Sequence, residues 1–282
     1  MLATDHSFLV FTDLDGTLLD HDTYSFEPAR PMVTRLAQMG AVLVLTSSKT
    51  EPEMRALRTA LGNDAPFVVE NGSVVCMPAR EPGAPDEHVV HGAPYADIRR
   101  VLTELRATHG FDFVGLGDLD AAGVAELTGL STDDAARAKQ RAGTEPLVWR
   151  DTADALVRFE RAVQDGGLHV TRGGRFVHVM GHTDKGRAVP FLRAHYQSLF
   201  PDRTWTTVGL GDSDNDLPLL RAVDVAIVVR KPSGAWLPFE SARPHYRTEL
   251  PGPAGWAATL AIALDDATRA HQQPSATETQ HG

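Results

Sequence analysis

Two short acidic clusters, far apart in the chain, carry residue types that could do chemistry. The first is Asp13-Leu-Asp15-Gly-Thr17, which follows the apolar run Phe8–Phe11. On an extended backbone, carboxylates two residues apart point to the same side, so Asp13 and Asp15 can face one small site. They repel each other unless a cation or a bound proton relieves the repulsion, and a metal ion is the natural relief. The alternative without chemistry is a polar strand exit followed by a turn.

The second cluster is Gly209-Leu-Gly-Asp-Ser-Asp-Asn-Asp216, again after an apolar run. A calcium-binding EF-hand loop would need Gly at position 217 and Glu at position 223, where the chain has Leu and Val. No Gly-x-Gly-x-x-Gly follows, so a dinucleotide site is not indicated. Mg²⁺ prefers oxygen ligands in an octahedral arrangement, and Asp212 and Asp216 could complete such a site with Asp13.

Two further segments of the sequence carry hydroxyl and cationic groups. Thr46-Ser-Ser-Lys-Thr50 follows a second apolar run and offers hydroxyls and backbone N–H groups at a predicted helix start, which suits phosphate binding. Lys185 precedes another predicted helix. Each feature alone is more often a helix cap or a solvated charge. Together, at the carboxyl ends of neighbouring strands, they indicate a phosphate site.

Apolar runs and amphipathic stretches alternate along the chain and must position these residues. Thr50-Glu-Pro-Glu53 has the spacing of a capping box, which predicts a helix over about Glu51–Leu61. A second helix is predicted from Lys185 onward. The alternation predicts the α/β class with a doubly wound, mainly parallel sheet. The buried strands would be Phe8–Phe11, Ala41–Leu45, Trp205–Leu210 and Val225–Val229.

The middle of the chain has a different pattern. Pro and Gly residues between 78 and 85 resemble a linker, and Gly173-Gly174 separates two alternating runs in the manner of a β-hairpin. Antiparallel pairing there predicts an inserted α+β cap domain at 84–180, interrupting a core formed by 1–83 and 181–267. The polar, aperiodic residues 268–282 are predicted to form a flexible tail.

Composition narrows the function further. The 282 residues are 42% hydrophobic and 23% charged, which is typical of a globular protein rather than a disordered one. With 27 Lys+Arg against 37 Asp+Glu, the net charge of -10 disfavours nucleic acid and anionic membranes as partners. The single cysteine, Cys76, cannot form an internal disulfide or a cysteine-based zinc site. We therefore expect a cytoplasmic enzyme or binding protein for a small phosphorylated molecule.

The order of motifs, DLDGT, a strand ending in TSS, a lysine before a helix and GDSDND, resembles the haloacid dehalogenase superfamily of phosphohydrolases. The resemblance implies a Rossmann-like core with a cap that selects the substrate. It also implies an aspartyl-phosphate mechanism that needs Mg²⁺. The implied roles are a nucleophile at Asp13, a general acid/base at Asp15, a phosphoryl-binding Ser47, a neutralising Lys185, and metal ligation by Asp13, Asp15, Asp212 and Asp216.

Longer stretches resemble one family within that superfamily, the mannosyl-3-phosphoglycerate phosphatases. The stretches are 13–27, Ser47-Ser-Lys-Thr50 and Pro66-Phe-Val-Val-Glu-Asn-Gly72. The chain departs from the family pattern at Arg141-Ala-Gly-Thr-Glu-Pro146, where an Arg-Glu-aromatic-x-Glu-Pro block is expected. The resemblance implies a role in making mannosylglycerate, a compatible solute, and places Ser48, Lys49, Asn71 and Arg141 among the substrate contacts.

A substrate with a phosphate, a carboxylate and a sugar needs cations beyond those at the phosphorus. The predicted hairpin offers Arg172, Arg175 and His178, and arginine suits a bidentate grip on a carboxylate. The alternative is that these are ordinary polar residues of a hairpin. Three functional alternatives also stay open: a phosphatase for another sugar phosphate such as glucosyl-3-phosphoglycerate, a phosphomutase, and a phosphosugar-binding protein without turnover.

Overall fold

A parallel sheet organises the protein in the computed structural model, which describes residues 6–79, 81, 83–173 and 176–272. The first half of the chain supplies two of its strands, each followed by a helix. These elements are β1 (His6–Thr12), α1 (Arg30–Gln38), β2 (Val42–Leu45) and α2 (Glu51–Leu61). Helix α2 has the bounds that the capping box predicts. The Glu53 carboxylate accepts hydrogen bonds from the Thr50 N–H at 2.8 Å and from the Thr50 hydroxyl at 2.7 Å.

A small antiparallel sheet continues from the end of β2. Thr46 forms a parallel bridge to Val68, and the three strands pair in the order β3 (Phe67–Val69), β4 (Val74–Met77), β5 (Glu87–Val90). Strands β3 and β4 pack into the hydrophobic clusters of the parallel sheet. The predicted cap boundary at 84 thus assigns β5 to the cap, although β5 pairs with a strand that packs on the core.

A second unit with its own sheet and hydrophobic cluster follows. Its strands pair antiparallel in the order β6-β7-β9-β8, and helices α3 and α6 pack on one face of the sheet. Strands β8 and β9 form the hairpin that the two glycines predict. The elements are α3 (Tyr95–His109), β6 (Phe113–Gly115), α4 (Ala121–Thr128), α5 (Thr132–Ala138), β7 (Thr144–Trp149), α6 (Ala153–Asp165), β8 (His169–Gly173) and β9 (Phe176–Met180).

The last third of the chain returns to the parallel sheet and completes it in the order β12-β11-β10-β1-β2. Every described pairing in this sheet is parallel. Residues 268–272 of the predicted tail belong to the last helix, and 273–282 lie outside the described residues. The elements are α7 (Ala188–Leu199), β10 (Thr204–Gly211), α8 (Leu217–Ala222), β11 (Val225–Arg230), β12 (His245–Pro251) and α9 (Gly252–Gln272).

Helices cover both faces of the parallel sheet, and this explains the unbroken apolar runs. Phe8 and Val10 of β1 pack in the cluster that contains residues of α1 and α9, whereas Leu9 and Phe11 pack in the cluster with α7 and α8. All four side chains are buried. The predicted doubly wound α/β fold is confirmed. Within the described part of the chain, no helix combines the length and apolar character needed to cross a membrane.

Candidate active site

Strands β1 and β10 bring the two acidic clusters together. They are parallel neighbours, and Thr12 pairs with Leu210 at the last register position. The Asp13 N–H donates to the Leu210 carbonyl at 2.9 Å, so the loops after both strands start from the same edge of the sheet. Strand β2 ends beside them, because the Thr46 N–H donates to the Thr12 carbonyl at 2.8 Å.

Lys185 joins the two clusters through its ammonium group. Nζ lies 2.6 Å from Oδ1 of Asp13 and 2.6 Å from Oδ1 of Asp216. The lysine side chain is 1% exposed, so the charge is buried among these carboxylates. Burial alone would lower the pKa of Lys185, but the charges of Asp13 and Asp216 and the hydrogen bonds to them raise it. The surroundings of Lys185 therefore favour the charged ammonium.

Three carboxylates meet around this lysine. One oxygen from each of Asp13, Asp212 and Asp216 lies within 4.8 Å of the others. Burial and then the charge of Asp216 raise the pKa of Asp13 well above its usual range, although Lys185 opposes the shift. The same two causes raise the pKa of Asp212 to about 6. A divalent cation would relieve this repulsion, and an all-oxygen donor set suits Mg²⁺.

Asp216 is fixed by its own loop. It is fully buried, and its Oδ2 accepts hydrogen bonds from the N–H groups of Asp212 and Ser213 and from the Ser213 hydroxyl, at 3.0–3.1 Å. Gly211 permits this close approach, because a Cβ there would lie 2.4 Å from the Cβ of Asp216. The Gly-x-Gly-Asp spacing thus has a steric reason unrelated to dinucleotide binding.

Asp15 lies beside the three carboxylates and has a different partner. Its Oδ2 forms an ion pair with Nζ of Lys49 at 2.8 Å, and its buried Oδ1 has no hydrogen-bond partner among the described residues. Burial lowers the pKa of Lys49, but the charge of Asp15 and the hydrogen bond to it outweigh this and raise the pKa. The predicted metal role of the Asp15 side chain stays a prediction, since that side chain is not in the group of three.

Ser47 is buried and follows the end of β2 by two residues. Its hydroxyl accepts a hydrogen bond from the Lys49 N–H at 3.2 Å, and its carbonyl accepts one from the Asn71 N–H at 2.9 Å. The Ser48 carbonyl accepts from the guanidinium of Arg141 at 2.9 Å. Contacts within the chain thus fix the backbone of the loop 47–49.

Asn71 lies in a segment with an uncommon backbone. Glu70, Asn71 and Gly72 have φ of 51°, 57° and 94°, a region that residues other than glycine seldom adopt. Gly72 is required, because a Cβ there would lie 2.1 Å from the Asp184 carbonyl oxygen. The buried Asn71 amide accepts from Asn215 Nδ2 at 3.0 Å, and its own Nδ2 has no partner among the described residues. Such strain is typical of functional segments.

Arg141, predicted to contact the substrate, is committed to other contacts. Its guanidinium is 3% exposed and donates to the carbonyls of Ala138, Thr144 and Ser48 and to the Thr144 hydroxyl. It also lies 3.6 Å from the carboxylate of Glu70. The structure places Arg141 at the junction of cap and core.

The three hairpin residues that were predicted to contact the substrate, Arg172, Arg175 and His178, do not share one location. Arg172 lies on the helix-covered face of the cap sheet, is 59% exposed and pairs with Glu160 of α6 at 2.7 Å, so the structure does not bring it to the acidic cluster. His178 is buried on the other face of the sheet, opposite Thr171. Strand β8 lies beside the short helix Asp214–Asp216. The predicted contact from Arg175 falls on a residue outside the described ones.

Sequence reasoning missed two residues that border the cluster. Asn215 links the second acidic loop to Asn71, and the Thr17 hydroxyl donates to Oδ1 of Asp212 at 3.4 Å. Both lie inside the acidic motifs, so their position in the sequence was the available signal. Glu70 was also missed. Its carboxylate is distinguished only by contacts with residues 142–144, which are far away in the sequence, so no local pattern could have identified it.

Known proteins resemble this chain in sequence. Residues 10–106 match the family described as haloacid dehalogenase-like hydrolase. A curated protein of Methanococcoides burtonii, named glucosyl-3-phosphoglycerate/mannosyl-3-phosphoglycerate phosphatase, is 38% identical over 257 residues. The match covers 88% of this chain and 94% of that protein.

Solved structures show the same fold. A Thermoplasma acidophilum protein has a TM-score of 0.65 at 16% identity, covering 91% of this chain and 98% of the other. The sucrose-phosphatase of Synechocystis, solved with sucrose and phosphate, has a TM-score of 0.60 at 18% identity, covering 92% of this chain and 98% of the other. At these identities the likeness concerns the fold alone.

Proposed function

The chain belongs to the haloacid dehalogenase superfamily and is a phosphoric monoester hydrolase; on that premise, we propose that it removes the phosphate from mannosyl-3-phosphoglycerate and its glucosyl counterpart. The observation that carries the mechanism is the buried Lys185 ammonium between Asp13 and Asp216. The named substrates of the 38% identical relative support the substrate class.

We assign the nucleophile to Asp13. Its carboxylate would attack phosphorus and form an aspartyl-phosphate, which divides one difficult hydrolysis into two easier steps. Lys185 holds Oδ1 of Asp13 at 2.6 Å and favours the ionised form that attack requires. Its positive charge also compensates the negative charge on the transferring phosphoryl group.

Asp15 is the proposed general acid and base. It follows the nucleophile by two residues, its side chain is 42% exposed, and its Oδ1 has no hydrogen-bond partner among the described residues, so that oxygen is available to a leaving group or a water molecule. It would protonate the leaving oxygen and then accept a proton from the water that opens the aspartyl-phosphate. The ion pair with Nζ of Lys49 at 2.8 Å fixes the position of Oδ2 of Asp15.

Ser47 and the loop after it are the proposed phosphate cradle. The Ser47 hydroxyl would donate to a phosphoryl oxygen, and the loop leads directly into α2, whose first N–H groups favour an anion. Ser48, Lys49 and Asn71 border this loop, and we keep Lys49 and Asn71 as candidate substrate contacts. Nδ2 of Asn71 has no partner among the described residues, which supports that choice.

Asp13, Asp212 and Asp216 are the residues that would hold Mg²⁺, because their oxygens cluster within 4.8 Å and the pKa values of Asp13 and Asp212 are raised. When bound, the cation would neutralise charge on the phosphoryl oxygens. A role in making mannosylglycerate as a compatible solute, in the cytoplasm, belongs to the same proposal and rests on the substrate class and the single cysteine.

The test is phosphate release with Mg²⁺ across a panel of mannosyl-3-phosphoglycerate, glucosyl-3-phosphoglycerate, 3-phosphoglycerate and hexose phosphates. We expect the two glycosyl substrates to have the highest kcat/KM, with Asp13→Asn as the inactive control. A preference for a hexose phosphate would overturn the proposed substrate but not the phosphatase activity. Phosphoryl exchange between hexose positions with little phosphate release would indicate a mutase.

A further inference from the structure

Glu70 belongs to the core segment and contacts the cap. Its side chain is 1% exposed, and its Oε1 accepts from the Ala142 N–H at 2.7 Å. Its Oε2 accepts from the Gly143 N–H at 3.0 Å and from the Thr144 hydroxyl at 2.9 Å. Ala142 and Gly143 directly precede β7 and Thr144 is its first residue, so one carboxylate satisfies three donors of the cap at the point where the cap meets the core.

The backbone around Glu70 contacts the loop that follows β2. The Glu70 N–H donates to the Lys49 carbonyl, and the next N–H, of Asn71, donates to the Ser47 carbonyl, both at 2.9 Å. The side chain and the backbone of one segment therefore contact the cap and the proposed phosphate cradle at the same time. The left-handed backbone of Glu70 and Asn71 is what allows both sets of contacts.

Arg141 of the cap contacts both Glu70 and the loop 47–49. Its guanidinium lies 3.6 Å from Glu70 and compensates the buried charge, while the same group donates to the carbonyl of Ser48. Two routes thus join residues 141–144 to residues 47–49, one through Glu70 and one through Arg141. We use "junction" below for Glu70, residues 141–144 and residues 47–49.

We propose that Glu70 is a positioning and specificity-determining residue, which docks the cap on the phosphate cradle so that only substrates whose leaving group fills the space under the cap are bound tightly. This inference rests on the proposed function. It does not give Glu70 a role at the phosphorus itself. A small aryl phosphate has a leaving group that does not need the cap, so its turnover should not depend on the contacts of the Glu70 carboxylate with residues 142–144.

The experiment compares wild type and Glu70→Gln on mannosyl-3-phosphoglycerate and on p-nitrophenyl phosphate. The amide keeps the size of the side chain, but its NH₂ group would face donors that the carboxylate accepts. We expect KM for the glycosyl substrate to rise by about tenfold or more with kcat little changed, and kcat/KM for the aryl phosphate to stay within about twofold. Equal losses on both substrates, or no change on either, would overturn the proposal.

Hydrogen exchange supplies a readout that needs no turnover and separates this inference from the substrate assignment. In Glu70→Gln, the amides of Ala142 and Gly143 and those of Glu70 and Asn71 should all exchange faster. Faster exchange at 142–143 alone would refute the coupling to the cradle, whatever the substrate. Wild type could fail to hydrolyse every glycosyl phosphoglycerate while Glu70→Gln shows the predicted faster exchange at all four amides. In that case the proposed substrate is wrong and the coupling stands.

Glu145→Gln is the matched control. The Glu145 carboxylate is also fully buried and accepts from Tyr95, Arg99 and the Gly117 N–H, all within the cap. Glu145→Gln should lower the stability of the protein without changing the kinetic constants for one substrate more than those for the other. Should Glu70→Gln not fold, Thr144→Val removes one donor to Glu70 and one acceptor of Arg141, both contacts of the junction, at similar volume. In this variant KM for the glycosyl substrate should again rise while kcat/KM for the aryl phosphate stays the same, but the rise should be smaller than in Glu70→Gln. A folded Thr144→Val without this difference between the two substrates would contradict the proposal.

Discussion

The ammonium of Lys185 lies 2.6 Å from the carboxylate of Asp13, although 172 positions separate the two residues in the chain. The contact exists because β1 and β10 are parallel neighbours and because the turn at Lys185 packs on the loop after β10. A buried cation held against a proposed nucleophile is the electrostatic centre of the site.

Replacing Lys185 by Met should remove this centre. Asp13 and Asp216 would lose their shared cation while staying buried, so the ionised nucleophile would be disfavoured. We expect kcat to fall by about 10²–10³ and the thermal stability of the metal-free protein to fall as well. Phosphate release and a melting curve measure the two effects. Lys139→Met is the control, because it removes one lysine from the cap and leaves the site unchanged. A near-normal kcat in Lys185→Met would contradict the electrostatic role of Lys185.

Asp212→Asn should stabilise the metal-free protein at neutral pH. The pKa of Asp212 is raised to about 6 by burial and by the charge of Asp216. The unfolded chain ionises at a lower pH than the folded protein, so stability falls as pH rises from about 4 to about 6, and the loss is complete above that range. The variant should gain on the order of 1 kcal/mol at about pH 7.5, and the gain should vanish near pH 4. Denaturant unfolding with a chelator at both pH values measures it. Lower stability of the variant at pH 7.5 would show that the carboxylates do not repel as described.

Asp118 should make the cap sensitive to acid. Burial opposes its ionised form, but hydrogen bonds from Arg106, Arg99 and the Gly115 N–H prevail and lower its pKa to about 2. Its contribution is therefore complete above about pH 4 and is lost as pH falls towards 2. Asp118→Asn should reduce the free energy of unfolding by about 2 kcal/mol at neutral pH and by almost nothing near pH 2. A difference that is constant with pH would refute the linkage.

Gly211→Ala should damage activity through one methyl group. The added Cβ would lie 2.4 Å from the Cβ of Asp216, so the loop of Asp212 and Asp216 has to move. We expect a loss of Mg²⁺ affinity, measured by calorimetry, together with a lower kcat. Gly129→Ala is a control in the cap, where a Cβ would meet no atom of the described residues within 4 Å, although its φ of 78° also strains the backbone. Unchanged metal affinity in Gly211→Ala would contradict the steric argument.

Sequence patterns predicted the parts of the site that depend on local structure. The apolar runs end where the strands end, so Asp13 and Asp212 could be placed at one edge of the sheet before their contacts were known. The bounds of α2 followed from a capping box that is local to residues 50–53. These features need no information about distant parts of the chain.

The cap residues were harder to place because their roles depend on docking and register. Arg172 pairs with Val177 and Thr171 pairs with His178, and successive residues of a strand point to opposite faces. Arg172 and His178 therefore cannot serve the same face. Arg141 and Glu70 meet across 71 positions only because the cap rests on the core, a contact that no local pattern encodes.

The central claim is that Asp13 attacks phosphorus, and chemical trapping tests it most directly. Wild type is mixed with saturating substrate and Mg²⁺, quenched in acid within one turnover, and reduced with borohydride, which converts an aspartyl-phosphate to homoserine. The account predicts homoserine at position 13 by peptide mass spectrometry and none in Asp13→Asn. Trapping at another residue, or unimpaired phosphate release by Asp13→Asn, would contradict it.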